Sequence, residues 1–112
     1  MTYFDAERGA DLKTAFDERV ASWPEVAARS MFGCPSYTAD GTLFAVLVTD
    51  GVALTRLPDE RRAELDRAFA VGPFRAGERT VPKWAQVTIA EPAALDDLLP
   101  FVRASYETAL AE

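Results

Sequence analysis

Cys34 stands in the stretch Met31-Phe32-Gly33-Cys34-Pro35, between a glycine and a proline, the kind of chain reversal that can present a nucleophilic or redox thiol. A thiol attacks as its thiolate and needs a base or a cationic neighbour to form one. The chain has no histidine, which removes the usual base near neutral pH and the commonest metal ligand. The nearest basic residue before Cys34 is Arg29. Cys34 therefore reads as part of a folding device, with Met31 and Phe32 on opposite faces of a strand. One cysteine without histidine also leaves no standard zinc site. Asp40 and Asp50 each precede a glycine in what reads as a two-residue turn, which needs no metal to explain it. Asp96 and Asp97 are adjacent and point about 100° apart on a helix, so they form no acid–base dyad. The six glycines are too dispersed to cradle a phosphate. The expectation is a protein without catalysis, metal or cofactor.

The remaining chemistry is basic. The chain carries a net charge of −6, yet residues 56–83 hold seven basic and five acidic side chains, a local excess of +2. Phe74, Arg75, Arg79, Lys83 and Trp84 lie in a Gly- and Pro-rich stretch with an aromatic near each end. Together with Arg56 they form the candidate binding set. Arginine offers a planar fork suited to carboxylates or phosphates, so the expected target is an acidic protein partner or a small anion. Direct nucleic-acid binding is not expected of so acidic a chain. A plainer account competes. Asp59/Arg62, Arg62/Asp66 and Glu64/Arg67 are spaced as helix-surface pairs, Phe74 and Trp84 could be buried anchors of an ordinary connection, and Lys83 could lay its stem over Trp84.

The elements that must position these residues follow from periodicity. Leu12, Phe16, Val20 and Trp23 recur at three- and four-residue spacing, predicting a helix over about 5–22 that Pro24 ends. "ARSMF", "SYTA", "LFAVLV" and "VALTRL" read as four strands of an antiparallel meander, separated by Gly33-Cys34-Pro35, Asp40-Gly41 and Asp50-Gly51, with glycine supplying positive φ. The run 43–48 is apolar on both alternations, which places it mid-sheet with helices on one side and further cover on the other. "PDERRAELDRAFA" is a second helix carrying Leu65, Ala68 and Phe69 on one stripe. "VGPFRAGERTVPK" reads as a long loop or irregular edge, and "WAQVTIA" as a fifth strand. A last helix has Leu95, Leu98, Leu99, Val102, Tyr106 and Leu110 on one face, with a kink or break at Pro100. The order is α-β-β-β-β-α-β-α: an α+β, two-layer single domain over 1–112, with about five antiparallel strands and three helices.

Met31-Phe32-Gly33, Asp40-Gly41, Phe44-Ala45, Gly72-Pro73-Phe74 and the closing "LLPFVRASYETAL" helix come in an order and spacing that resembles the TfoX/Sxy N-terminal domain family, over about residues 12–111. Where family members read Met-Phe-Gly-Gly, this chain has Cys34-Pro35 after Gly33. The resemblance implies three helices around an antiparallel sheet, akin to YjbR-like and secretion-chaperone-like folds. The family is named for regulators of natural competence, in which a separate C-terminal helical domain follows, and it brings no catalytic residues to transfer. The implied role is therefore confined to the domain itself.

Two functional readings stay open. One is a non-enzymatic regulatory or protein-interaction domain that presents a sheet edge or face. The other is a small-molecule module, binding an anion or weakly catalytic, built on residues 75–84. A homodimer is expected because Phe44, Val46 and Val48 exceed what three short helices plainly cover. No apolar run approaches the roughly 18–20 residues of a membrane span, and 1–13 has no basic start followed by an apolar stretch, so a cytoplasmic protein without membrane contact is expected.

Overall fold

Leu12, Phe16 and Val20 are all buried on one stripe of α1 (Ala10–Val20), the face that four-residue spacing dictates. A computed structural model describes residues 4–31, 33–76, 79–89 and 91–112, with the backbone alone at 75, 76, 79 and 82. After α1 come β1 (Val26–Met31), β2 (Cys34–Ala39), β3 (Thr42–Val48), β4 (Gly51–Leu54), α2 (Asp59–Ala68), β5 (Val71–Ala76), β6 (Arg79–Thr88), a 3₁₀ turn (Pro92–Ala94) and α3 (Leu95–Leu110). The described strands form one antiparallel sheet in the order β1-β2-β3-β4-β6-β5. The α+β class, the three helices and the four-strand meander are as expected. The sheet is larger than the expected five or so strands, with six among the described residues.

The additional strand is β5, in the stretch expected to be a loop. Glycine and proline in "VGPFRA" mask it, but it is an edge strand, where a missing N–H costs no internal ladder bond. Two turns also differ from expectation. Cys34 opens β2, opposite Met31, rather than lying in the turn, while Phe32 falls outside the described residues. The Asp40-Gly41 turn has φ of 51° and 85°, the paired positive values that a tight hairpin needs. Gly51 is different. It begins β4 opposite Thr88, and a Cβ there would stand 2.0 Å from the Val87 carbonyl oxygen. Close approach of β6, not a positive φ, requires glycine at this position.

The helices cover one face of the sheet, burying Phe16, Tyr37, Phe44, Leu54, Leu98 and Tyr106 in the main core. Only Leu65 of α2 is fully buried, and Ala68 is exposed. Pro100 sits inside α3 without dividing it. The second face carries another cluster, in which Cys34, Val46, Val48 and Ala53 are packed with Phe74. In a flat sheet β5 lies three and four strand positions from β3 and β2, roughly 14–19 Å at the usual spacing. Phe74 reaches them because the β5–β6 pair bends. Pro73 faces Ala85 but Phe74 faces Val81, so residues 82–84 have no counterpart, and the distal half of the hairpin folds over the second face. Val46 and Val48 are thereby covered within the chain, and the apolar excess that suggested a homodimer is not present.

A second irregularity is stitched by one hydroxyl. Tyr37 pairs with Ala45 and Thr38 with Leu43, leaving Phe44 as the extra residue of a bulge. The Phe44 carbonyl accepts the Thr55 N–H (3.1 Å) and the Ser105 hydroxyl (2.7 Å), and Ser105 Oγ in turn accepts the Arg56 N–H (3.0 Å). The fully buried Ser105 thus ties α3, β3 and the segment after β4 together.

Candidate functional site

Among the described side chains of the expected binding set, Arg56, Phe74 and Lys83 lie apart. Arg56 follows β4, with its backbone held by Ser105 and its guanidinium 3.3 Å from Glu112. Phe74 is fully buried and Trp84 half-buried, their rings 5.2 Å apart and tilted by 52°. They anchor the folded-over hairpin, and Phe74 presents no surface. The backbones of Arg75 and Arg79 pair with Thr80 and Ala76, but both side chains lie outside the described residues. Lys83 is exposed in the three-residue bulge.

Lys83 does line a cleft of about 420 Å³, with Thr55, Leu57, Asp59, Arg62 and Ala85. Helical spacing accounts for Arg62 only as a surface charge. It does pair with Asp66 at 3.5 Å, as Arg61 does with Glu64 at 3.2 Å. Its second role, as a cleft wall, comes from the tertiary placement of α2 and leaves no mark in the local spacing. The cleft offers two cations and one carboxylate over an apolar floor of Leu57 and Ala85.

Cys34 is fully buried in the second cluster, and burial pushes its thiol up to about 11, so a thiolate is disfavoured at neutral pH. Among the described residues, no group of three or more Cys, His, Asp or Glu is placed to hold a metal ion. No described helix is long and apolar enough to cross a membrane. The Tyr37 hydroxyl donates to Asp17 Oδ1 at 2.5 Å, and Lys13 Nζ reaches Asp17 Oδ2 at 2.7 Å. Burial, then the bond to Asp17, raises the Tyr37 phenol far above its ordinary value. A phenol so strongly held protonated serves as a hydrogen-bond donor, fixing α1 against β2.

β1 is the expected first strand of the meander, and what sequence reasoning missed is its exposure at the sheet edge. Ala27, Ala28, Arg29 and Ser30 are exposed on both faces of the sheet, and among the described strands β1 pairs with β2 alone. The Asp40 N–H donates to the Glu25 carbonyl at 3.0 Å, which sets the phase of the β1–β2 ladder. Antiparallel partners alternate between bonded and non-bonded pairs. Residues 27, 29 and 31 therefore turn their backbone groups toward β2, and Val26, Ala28 and Ser30 turn theirs to the open edge. The Val26 N–H is occupied by the Trp23 carbonyl at 3.3 Å. An open groove of about 320 Å³ runs beside this strand, lined by Phe4, Lys13, Ala28, Ser30, Pro35 and Tyr37 among others. Its signal in the sequence is faint: "VAARSM" lacks the period-two alternation of a strand with one buried face.

The two edges of the sheet contrast. β5 carries Pro73 and the register jump, devices that blunt an edge. β1 carries neither proline nor bulge, and its one charged residue is Arg29.

No curated protein matches the chain. The family model for the TfoX N-terminal domain matches residues 18–109, which run from the last turn of α1 through the last turn of α3. This stretch contains all six described strands and the Ser105 node, and the chain therefore belongs to the TfoX N-terminal domain family.

Proposed function

We infer that this chain is a non-catalytic regulatory or protein-interaction domain whose contact element is the β1 edge, which takes an extended strand of another polypeptide by antiparallel addition. The observation that carries this reading is the row of backbone groups at Ala28 and Ser30 that faces no other described strand, on a strand exposed on both faces. Strand addition draws its affinity from main-chain hydrogen bonds, and β1 supplies them without rearrangement. Membership of the TfoX N-terminal domain family supports a domain-level regulatory assignment. The test is capture from a cell extract by immobilised wild-type chain and by an Ala28→Pro variant, with mass-spectrometric identification. Proteins retained by the wild type and lost with the variant are expected; equal retention by both refutes the edge as the contact.

The second reading is an anionic-ligand module, and one observation favours it: Lys83 and Arg62 line the same cleft above Leu57 and Ala85. Its ligand class is a small amphipathic carboxylate, held by the two cations and the apolar floor. A thermal-shift screen of such carboxylates, with Lys83→Ala as control, tests it.

A further inference from the structure

We propose that the strand added to the β1 edge is β1 of a second copy of this chain, paired antiparallel across a two-fold axis centred on Ala28, so that two sheets join into one. The proposal rests on the interaction-domain reading and names its partner.

Symmetry selects the partner edge. A β1-to-β5 contact is head-to-tail and propagates into an open fibre, and Pro73 with its register jump blunts the β5 edge against it. A β1-to-β1 contact is closed and consumes both open edges. Charge then selects the register. Pairing Ala28 with Ser30 sets Arg29 directly opposite Arg29 in the close, non-bonded pair, which is destabilising. Pairing Ala28 with Ala28 moves Arg29 opposite Ala27 of the second copy, so the two Arg29 side chains are offset diagonally and no longer directly opposed. The two Ala28 residues then exchange both N–H···O bonds, and each Ser30 N–H meets a Val26 carbonyl. The side chains directly opposed on the helix-side face are alanine, serine and valine, small enough for the backbones to approach at ladder distance.

Ala28 is also where the contact can be broken without touching the monomer. Its N–H points away from β2, so proline there removes an outward donor and no internal bond, the one setting in which an edge strand tolerates it. The experiment is sedimentation velocity from 1 to 300 µM on the wild type and Ala28→Pro, with circular dichroism to establish that both are folded. A concentration-dependent species of twice 12.3 kDa is expected for the wild type, weakened at least tenfold in Ala28→Pro. Oxidative cross-linking of two further variants, Ala28→Cys and Arg29→Cys, reads the register without deleting an amide. A bonded pair holds its Cα atoms about 5.5 Å apart, within disulfide reach, so the Ala28→Cys variant should cross-link and the Arg29→Cys variant should not. A 12.3 kDa species alone at 300 µM overturns the proposal, as does a dimer that survives in Ala28→Pro. Cross-linking of Arg29→Cys in place of Ala28→Cys overturns the register. Should the chain stay monomeric while extract proteins are captured in an Ala28-dependent manner, this proposal falls and the interaction-domain reading stands; if neither contact occurs, both fall.

Discussion

Replacing Phe74 with alanine tests whether the aromatic pair of the β5–β6 hairpin is an anchor or a recognition surface. Phe74 is fully buried, packed among Cys34, Val46, Val48 and Ala53, and its ring lies 5.2 Å from that of Trp84. Deleting a buried phenyl group typically costs about 3–5 kcal/mol from lost transfer energy and the cavity left behind. The tilted contact with Trp84 lies within that figure at about 0.5–1.5 kcal/mol. The loss should fall in the upper half of the range. The site is closed on one side by β strands whose hydrogen bonds hold them apart, and on the other by a hairpin already bent at Pro73, so neither wall can collapse inward. Against a total stability of about 5–15 kcal/mol for a domain of this kind, Phe74→Ala leaves the fold marginal. In urea, with a slope of about 1.5 kcal/mol per molar, the midpoint should drop by roughly 3 M at unchanged slope. Tryptophan fluorescence and far-ultraviolet circular dichroism should report the same transition. Phe74→Leu, which keeps most of the volume, should lose less than half as much. A Phe74→Ala midpoint within about 0.5 M of the wild type would refute the argument and return Phe74 to the set of candidate contact residues.

Ser105→Ala should cost about 2 kcal/mol by equilibrium unfolding, because it leaves the Arg56 N–H without its acceptor and takes a donor from the Phe44 carbonyl; Ser105→Thr should not recover it if the extra methyl finds no room. Gly51→Ala should cost about 3 kcal/mol or more, since the new Cβ falls 2.0 Å from the Val87 oxygen, whereas the same change at a turn glycine costs about 1 kcal/mol. Cys34 should resist alkylation by iodoacetamide at pH 7 until urea unfolds the chain, and Cys34→Ser, which puts a hydroxyl into an apolar cluster, should cost about 1–3 kcal/mol; rapid alkylation of the folded chain would count against it. The guanidinium of Arg19, 2.8 Å away, holds the Asp96 carboxyl below its ordinary value. A depressed carboxyl contributes stability above its unfolded pKa of about 3.9, lost as pH falls through the folded value. Asp96→Asn should therefore flatten the fall in melting temperature between pH 5 and pH 2, and an unchanged acid limb would refute it.

What could be read from the sequence follows from how local its causes are. α1 and α3 announce themselves because one apolar stripe meets one core, and the β2–β3 turn because Asp40 and Gly41 must both take positive φ. β5 stayed hidden since its proline and glycine are penalised only where a strand has neighbours on both sides, and that depends on sheet order. Gly51 carries the signature of a turn, yet its cause is a carbonyl on β6, at Val87. Ser105 looks like one more polar residue of an amphipathic helix; it matters because it donates to the Phe44 carbonyl at a bulge and accepts the Arg56 N–H, partners 61 and 49 residues away along the chain. The described side chains of the candidate binding set lie apart for the same reason. Clustering in sequence brings Arg56, Phe74 and Lys83 into one segment, but the strand pairing sends them to a loop near the C-terminus, a buried cluster and an open cleft.

The curled sheet narrows the kinds of partner the domain can hold. Its helix-side face is filled by α1 and α3, and its second face by Phe74 and the hairpin, so neither face is free to lay an apolar surface against another protein. Among the described residues the β1 edge and the Lys83 cleft are the two candidate contacts, and their physics differ. Pairing at β1 exchanges backbone hydrogen bonds between uncharged groups, so its affinity should vary little between 50 and 500 mM salt. An anion held by Lys83 and Arg62 at an open cleft is attracted through solvent, where the screening length falls from about 14 Å to about 4 Å over that range. Measured on one sample, salt dependence therefore separates the two readings: association that persists at 500 mM assigns the contact to the edge, and binding that fades with salt and with Lys83→Ala assigns it to the cleft.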